Sequence, residues 1–158
     1  MLLGYETCDL RQGHAVGRVL LRRLYEQYTG APMPQILETE RGKPYFADSP
    51  VHFSISHTKD RVFCVLSHKN VGMDAERMDR KIDLRLAQKI LSPGEMERWQ
   101  KQEDKRSALL RLWVLKEAYA KLTGRGLGNY LNETDFDPET VQIIDGCFVA
   151  VLEEDHAF

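Results

Sequence analysis

No apolar run in this 158-residue chain approaches the ~18 residues that a membrane-spanning helix requires. Nor does a basic stretch followed by an apolar core open it, so a soluble, cytoplasmic protein is expected. Cysteine is scarce. Cys8, Cys64 and Cys147 are an odd number at wide spacings with no CxxC, which argues against a zinc site and for a reducing compartment. Cys64 lies within Val62-Phe63-Cys64-Val65-Leu66 and reads as a small core hydrophobe. Excess charge is lacking too. The formal value is -2, so overall charge points to neither a nucleic-acid nor a membrane partner. Low-complexity tracts and a clear sequence repeat are absent, and no G-x-S-x-G elbow accompanies Ser56-His57.

What is present is an ordinary globular composition, 42% hydrophobic and 29% charged, at a length suited to one domain. Asp9 and Gln12 resemble a capping box opening a helix over about 11–28, with Val16, Leu20, Leu24 and Tyr28 on one side and Gly30 ending it. Gln35 to Thr39 and Lys43 to Phe46 read as short strands around Arg41-Gly42. His52 to Ser56 alternates, with Phe53 and Ile55 inward. Arg61 to Ser67 reads as a buried strand that turns at His68-Lys69-Asn70 into Val71 to Glu76, an expected antiparallel hairpin. Asp83 can cap a helix through Leu91. Ser92-Pro93-Gly94-Glu95 carries the cap, first-turn proline and glutamate of another helix. A long helix is expected from about Arg106 to Thr123, stopped at Gly124, with Leu112, Leu115, Tyr119 and Leu122 as its core stripe. Strands over Val141 to Ile144 and Phe148 to Leu152 flank the turn Asp145-Gly146. Strands and helices mix without strict alternation, which indicates α+β.

Three fragments carry chemistry. In Val71-Gly72-Met73-Asp74-Ala75-Glu76, residues i and i+2 share a strand face, so Asp74 and Glu76 project together. Paired carboxylates without nearby His or Cys suit magnesium or manganese; a solvated strand face is the plain alternative. Helical spacing puts Trp113, Glu117 and Lys121 on one stripe. Glu117 and Lys121 are either a surface ion pair contributing ~0.2–0.5 kcal/mol, or a further metal carboxylate beside a phosphate-holding ammonium. Gly124-Arg125-Gly126-Leu127 then allows close backbone approach to a ligand. In Phe53-Ser54-Ile55-Ser56-His57-Thr58, a hydroxyl and an imidazole at a strand end can bond phosphate oxygens, though a satisfied structural histidine is the commoner case.

Taken in order, Gly42-Lys43-Pro44, Phe53-x-Ile55-Ser56-His57, Gly72-x-Asp74-x-Glu76, Trp113-x-x-Lys116-Glu117-Ala118-x-x-Lys121 and Gly124-x-Gly126-Leu127 resemble the phosphopantetheinyl transferase family, in its surfactin-synthetase-activating branch. The likeness runs from about Gly17 to Leu127. It implies a pseudo-twofold α+β fold of two similar halves, about 1–60 and 61–158, built of antiparallel strands packed with helices, with coenzyme A between them. It implies transfer of 4'-phosphopantetheine from coenzyme A to a serine of an acyl or peptidyl carrier protein, with release of adenosine 3',5'-bisphosphate. The magnesium ligands would be Asp74, Glu76 and Glu117, with manganese as a substitute. Glu117 and Lys121 would be catalytic. Lys43, Pro44, Ser56, His57, Lys116 and Lys121 would bind coenzyme A, with Lys43 and Pro44 flanking the adenine. Larger family members carry basic residues ahead of the first helix; here only Met1 to Leu10 precede it, and Gly13 and His14 stand where a basic or hydroxyl residue is frequent. The rival reading is a binding module that grips carrier or coenzyme A without turnover. An acidic carrier helix would dock on Arg11, Arg18 and Arg22 or, as the favoured expectation, on Lys101, Lys105 and Arg106, which lead into the helix bearing Glu117.

Overall fold

Two three-stranded antiparallel sheets face each other, and each carries a long helix on its outer side. The computed structural model describes residues 1–155. In chain order the elements are β1 (Leu2–Thr7), α1 (Gly13–Thr29), β2 (Ile36–Glu38), β3 (Pro44–Phe46), β4 (His52–His57), β5 (Arg61–Ser67) and β6 (Val71–Arg77). There follow α2 (Ala87–Ile90), α3 (Pro93–Gln100), α4 (Lys105–Thr123), β7 (Gln142–Ile144) and β8 (Cys147–Glu153). Among the described residues no helix is long and apolar enough to cross a membrane.

The first sheet has the order β1-β5-β4 and the second β6-β8-β7, every pairing antiparallel. Each half is therefore strand, helix, strand, strand, with the last strand inserted in the middle. The two halves repeat one topology although their sequences show no repeat. Side-chain alternation explains the layering. In β5, Val62, Cys64 and Leu66 pack on Leu20, Leu21 and Leu24 of α1. Phe63 and Val65 turn the other way, onto Val71, Met73 and Ala75 of β6 and Cys147 and Val149 of β8. Phe148 and Ala150 of β8 meet Leu112 and Leu115 of α4.

Three expectations are corrected. β5 and β6 are not a hairpin: β5 is the central strand of the first sheet, and the chain crosses at 68–70 into the second. The capping box at α1 does not form, since Gln12 makes no side-chain cap; the Gln12 N–H instead donates to the Asp9 carbonyl in a turn. β1, for which no strand was expected, pairs with β5 over its whole length.

Other local signals hold. Ser92 and Glu95 form a full capping box with Pro93 in the first turn. Gly30 and Gly124 end α1 and α4 in the left-handed region, at φ 74° and 69°. Gly72 has a different reason to be glycine. A Cβ there would lie 2.2 Å from the Ala118 carbonyl and 2.4 Å from the Leu122 nitrogen. β6 thus touches the backbone of α4, and the residues sharing its face, Asp74 and Glu76, are delivered directly to that helix.

Candidate functional site

The seam between halves runs where β4 meets β6 without backbone pairing. Two hydroxyls replace the ladder: the Met73 N–H donates to Ser54 Oγ and the Ala75 N–H to Ser56 Oγ, each at 3.0 Å. Ser56 Oγ then donates to Asp74 Oδ1 at 3.0 Å. The same oxygen accepts from Lys121 Nζ at 3.2 Å, and Lys121 also donates to the Ile55 carbonyl at 3.2 Å. Lys121 forms no ion pair with Glu117, so a plain helix-surface pair is not what the stripe makes.

Asp74 is buried, and its second oxygen, Oδ2, has no hydrogen-bond partner. Burial pushes its pKa above the ordinary carboxylate range, against the pull of Lys121 and Ser56. Glu76 is pushed up to about 7 by burial and then by the Asp74 charge, with Arg80 opposing and Glu117 adding to it. Glu117 is also raised, by burial first and then by Asp74, against Lys121 and Arg80. Glu76 feels the charge of both other carboxylates, and Glu117 that of Asp74. Among the described residues, however, no three such groups converge as a finished ligand set. Glu76 is drawn to Arg80, and Asp74 Oδ1 is shared by Ser56 and Lys121. The indole N–H of Trp113 approaches Glu76 and has no closer partner.

Two clefts flank this cluster. An open one of about 980 Å³ is lined by Cys8, His57, Thr58, Glu76 and Arg80 among others. A smaller one of about 270 Å³ has Lys43, Pro44, Ile55, Glu117, Lys121 and Leu127 in its walls. His57 directs Nε2 to the Gly13 carbonyl at 3.1 Å, so that nitrogen carries the proton and Nδ1 is left over. Burial lowers the His57 pKa despite that bond, and the charges of Lys121 and His14 lower it further.

Lys116 is not in either cleft and its expected contact with coenzyme A is corrected. It is fully buried, paired with Glu95 at 2.6 Å and donating to the carbonyls of Leu131 and Thr134 at 2.6 Å. Glu95 also accepts from the N–H groups of Ser92 and Phe136. The residue after Lys116, Glu117, lies about 100° around the helix and faces β6. Sequence reasoning found Glu95 as a cap and missed this second task, which no local pattern announces. It also missed Arg80, whose signal was its place four residues after Glu76. The favoured docking cations are occupied as well. Lys105 caps the carbonyls of Gln100 and Gln102, and Arg106 holds those of Met78 and Arg80.

The model of the 4'-phosphopantetheinyl transferase superfamily matches residues 70–149. The chain is 33% identical over 133 residues to the 4'-phosphopantetheinyl transferase gsp of Aneurinibacillus migulanus, covering 82% of this chain and 55% of that protein. It is 37% identical to psf-1 of Bacillus pumilus, covering 71% and 50%, and 34% identical to AcpT of Salmonella typhi, covering 72% and 59%. The chain thus spans about half the length of the curated relatives it matches.

Proposed function

Since the chain belongs to the 4'-phosphopantetheinyl transferase superfamily, we propose that it moves the phosphopantetheine arm of coenzyme A onto a serine of an acyl or peptidyl carrier protein. The observation that carries this reading is the meeting of Asp74, Glu76, Glu117 and Lys121 at the seam, with one buried carboxylate oxygen unpartnered. Hard oxygen donors without thiol or imidazole suit magnesium, or manganese, and Asp74, Glu76 and Glu117 would hold it. Bound there, the ion would offset the pyrophosphate charge and polarise the phosphorus. Burial raises all three carboxyls and repulsion adds to it at Glu76 and Glu117, so a cation is favoured there, and the Glu76–Arg80 pair is the contact that has to yield.

Lys121 stands at the wall of the smaller cleft, 35% exposed, where it can stabilise charge growing on a phosphoryl oxygen. Glu117, held above the usual carboxylate range, accepts the proton of the attacking hydroxyl better than an unperturbed carboxylate would. The serine oxygen bonds to the β-phosphorus as the anhydride bond breaks, and adenosine 3',5'-bisphosphate departs. Pro44 and the stem of Lys43 wall the side assigned to the adenine; His57 lines the larger cleft, and Ser56, buried, acts by holding Asp74. Arg18 and Arg22 of α1, and Arg11 just before it, have no ion-pair partner among the described residues and are left for an acidic carrier surface. The three cysteines are free.

The test is mass spectrometry of apo carrier proteins incubated with this protein, coenzyme A and magnesium. The expected result is one added phosphopantetheine on the carrier serine with release of adenosine 3',5'-bisphosphate. Coenzyme A binding without any carrier modification would instead leave a binding module. Bisphosphate release with no carrier present would make it a hydrolase.

A further inference from the structure

Lys43 lines the smaller cleft, yet its ammonium is turned away from it. Nζ donates to Asn70 Oδ1 at 2.6 Å and to the Leu122 carbonyl at 2.9 Å. Asn70 Nδ2 donates to the same carbonyl at 3.0 Å and to the Glu154 carboxylate at 3.1 Å. The Glu154 N–H returns a bond to the Asn70 carbonyl at 2.9 Å. Four segments therefore meet at one point: the β2–β3 turn, the β5–β6 crossing, the end of α4 and the chain leaving β8. The Leu122 carbonyl belongs to the last turn of α4, whose carbonyls lack helical partners and carry the negative end of the helix dipole. A cation is well placed there. The methylene stem of Lys43 runs toward Gly124, where an added Cβ would meet its Cδ at 3.5 Å.

We propose that Lys43 and Asn70 form a brace that fixes the spacing between the two walls of the smaller cleft, and that Lys43 is a positioning residue whose ammonium does not touch the ligand. This rests on the reading that coenzyme A occupies that cleft. One wall is the β2–β3 turn with Arg41, Gly42 and Pro44; the other is the end of α4 with Lys121, Gly124 and Leu127. The walls come from opposite halves, and no backbone pairing joins β3 to α4. Redirecting Nζ toward a phosphate would break its bond to Asn70 and uncover the Leu122 carbonyl. Asn70 itself does not line the cleft.

That last fact separates a brace from a direct contact. Coenzyme A binding is measured by titration calorimetry for the wild type, Lys43→Met, Asn70→Ala and the double variant, together with steady-state kinetics. A brace predicts that each single change weakens coenzyme A about tenfold, that the double is no worse than either, and that kcat at saturation holds. Normal binding by Asn70→Ala, or losses that add in the double variant, would overturn it. If the wild type binds no coenzyme A, the functional reading fails, and the brace is judged by amide hydrogen exchange alone. Asn70→Ala should then lower protection at residues 39–46 and 122–127 while residues 61–67 stay protected. Unchanged protection in both segments would remove the brace as well.

Discussion

Lys121 crosses from the last turn of α4 to Asp74 in the middle of β6, 3.2 Å away, and leaves Glu117, its neighbour one helical turn back, without an ion pair. The stripe of i, i+4 charges is thereby an inter-element arrangement, and its parts can be tested separately.

Lys121→Met should lower the proposed transferase activity by roughly 100-fold. The melting temperature should change little, because buried Asp74, already held above the ordinary carboxylate range, takes up a proton once its cation is gone. Asp74→Ala should behave alike, and the double variant should fall less than the two losses combined. Activity within a few fold of wild type in Lys121→Met would return this lysine to a surface role.

The three raised carboxyls make the metal-free protein sensitive to alkali. Each holds its proton more firmly folded than unfolded, so its contribution is full below the ordinary carboxylate range and is lost as pH rises through the folded value, about 7 for Glu76. With chelator present, the melting temperature should fall between pH 5 and pH 8, and less steeply in Glu76→Gln. Magnesium should restore it at pH 8 and do little at pH 5. Equal slopes for wild type and Glu76→Gln would contradict the assignment.

Lys116→Met should destabilise the fold by ~3–5 kcal/mol in urea denaturation, because it leaves Glu95 buried and uncompensated. Replacing both residues, as Glu95→Leu with Lys116→Met, should recover much of that loss. A Lys116→Met protein as stable as wild type but unable to bind coenzyme A would reinstate the ligand role.

Gly72→Ala pushes a methyl into the Ala118 carbonyl and should cost ~3 kcal/mol or more by denaturant midpoint. Because α4 must retreat from β6, activity should fall further than stability alone explains. A neutral substitution would show that the two elements are not held at backbone contact.

Local chemistry was legible: the Ser92 box, the Gly124 stop, the Asp145-Gly146 turn with its positive φ values and the shared face of Asp74 and Glu76 all follow from short-range rules. Sheet membership was not. β5 and β6 are three residues apart, and proximity suggested a hairpin, but β5 pairs with β1 and β4 in one sheet and β6 with β8 in the other, so the two strands meet face to face and not edge to edge. The buried Glu95–Lys116 pair escaped for the same reason: it spans α3, α4 and the loop beyond, and no spacing encodes it. Lys116 and Glu117 adjoin in sequence yet serve different faces of one helix.

The middle-strand-last topology sets an order of assembly. The first half possesses all its strands once Ser67 has been made, so its sheet can close around α1 while the rest of the chain is still being synthesised. The second cannot. β6 is made early, but its partner β8 comes only after α2, α3, α4 and β7, and until then the apolar stripe of α4 has no sheet to cover it. Such waiting surfaces slow folding and invite aggregation. Changes at β8 should therefore reduce the yield of folded chain out of proportion to their effect on the finished protein.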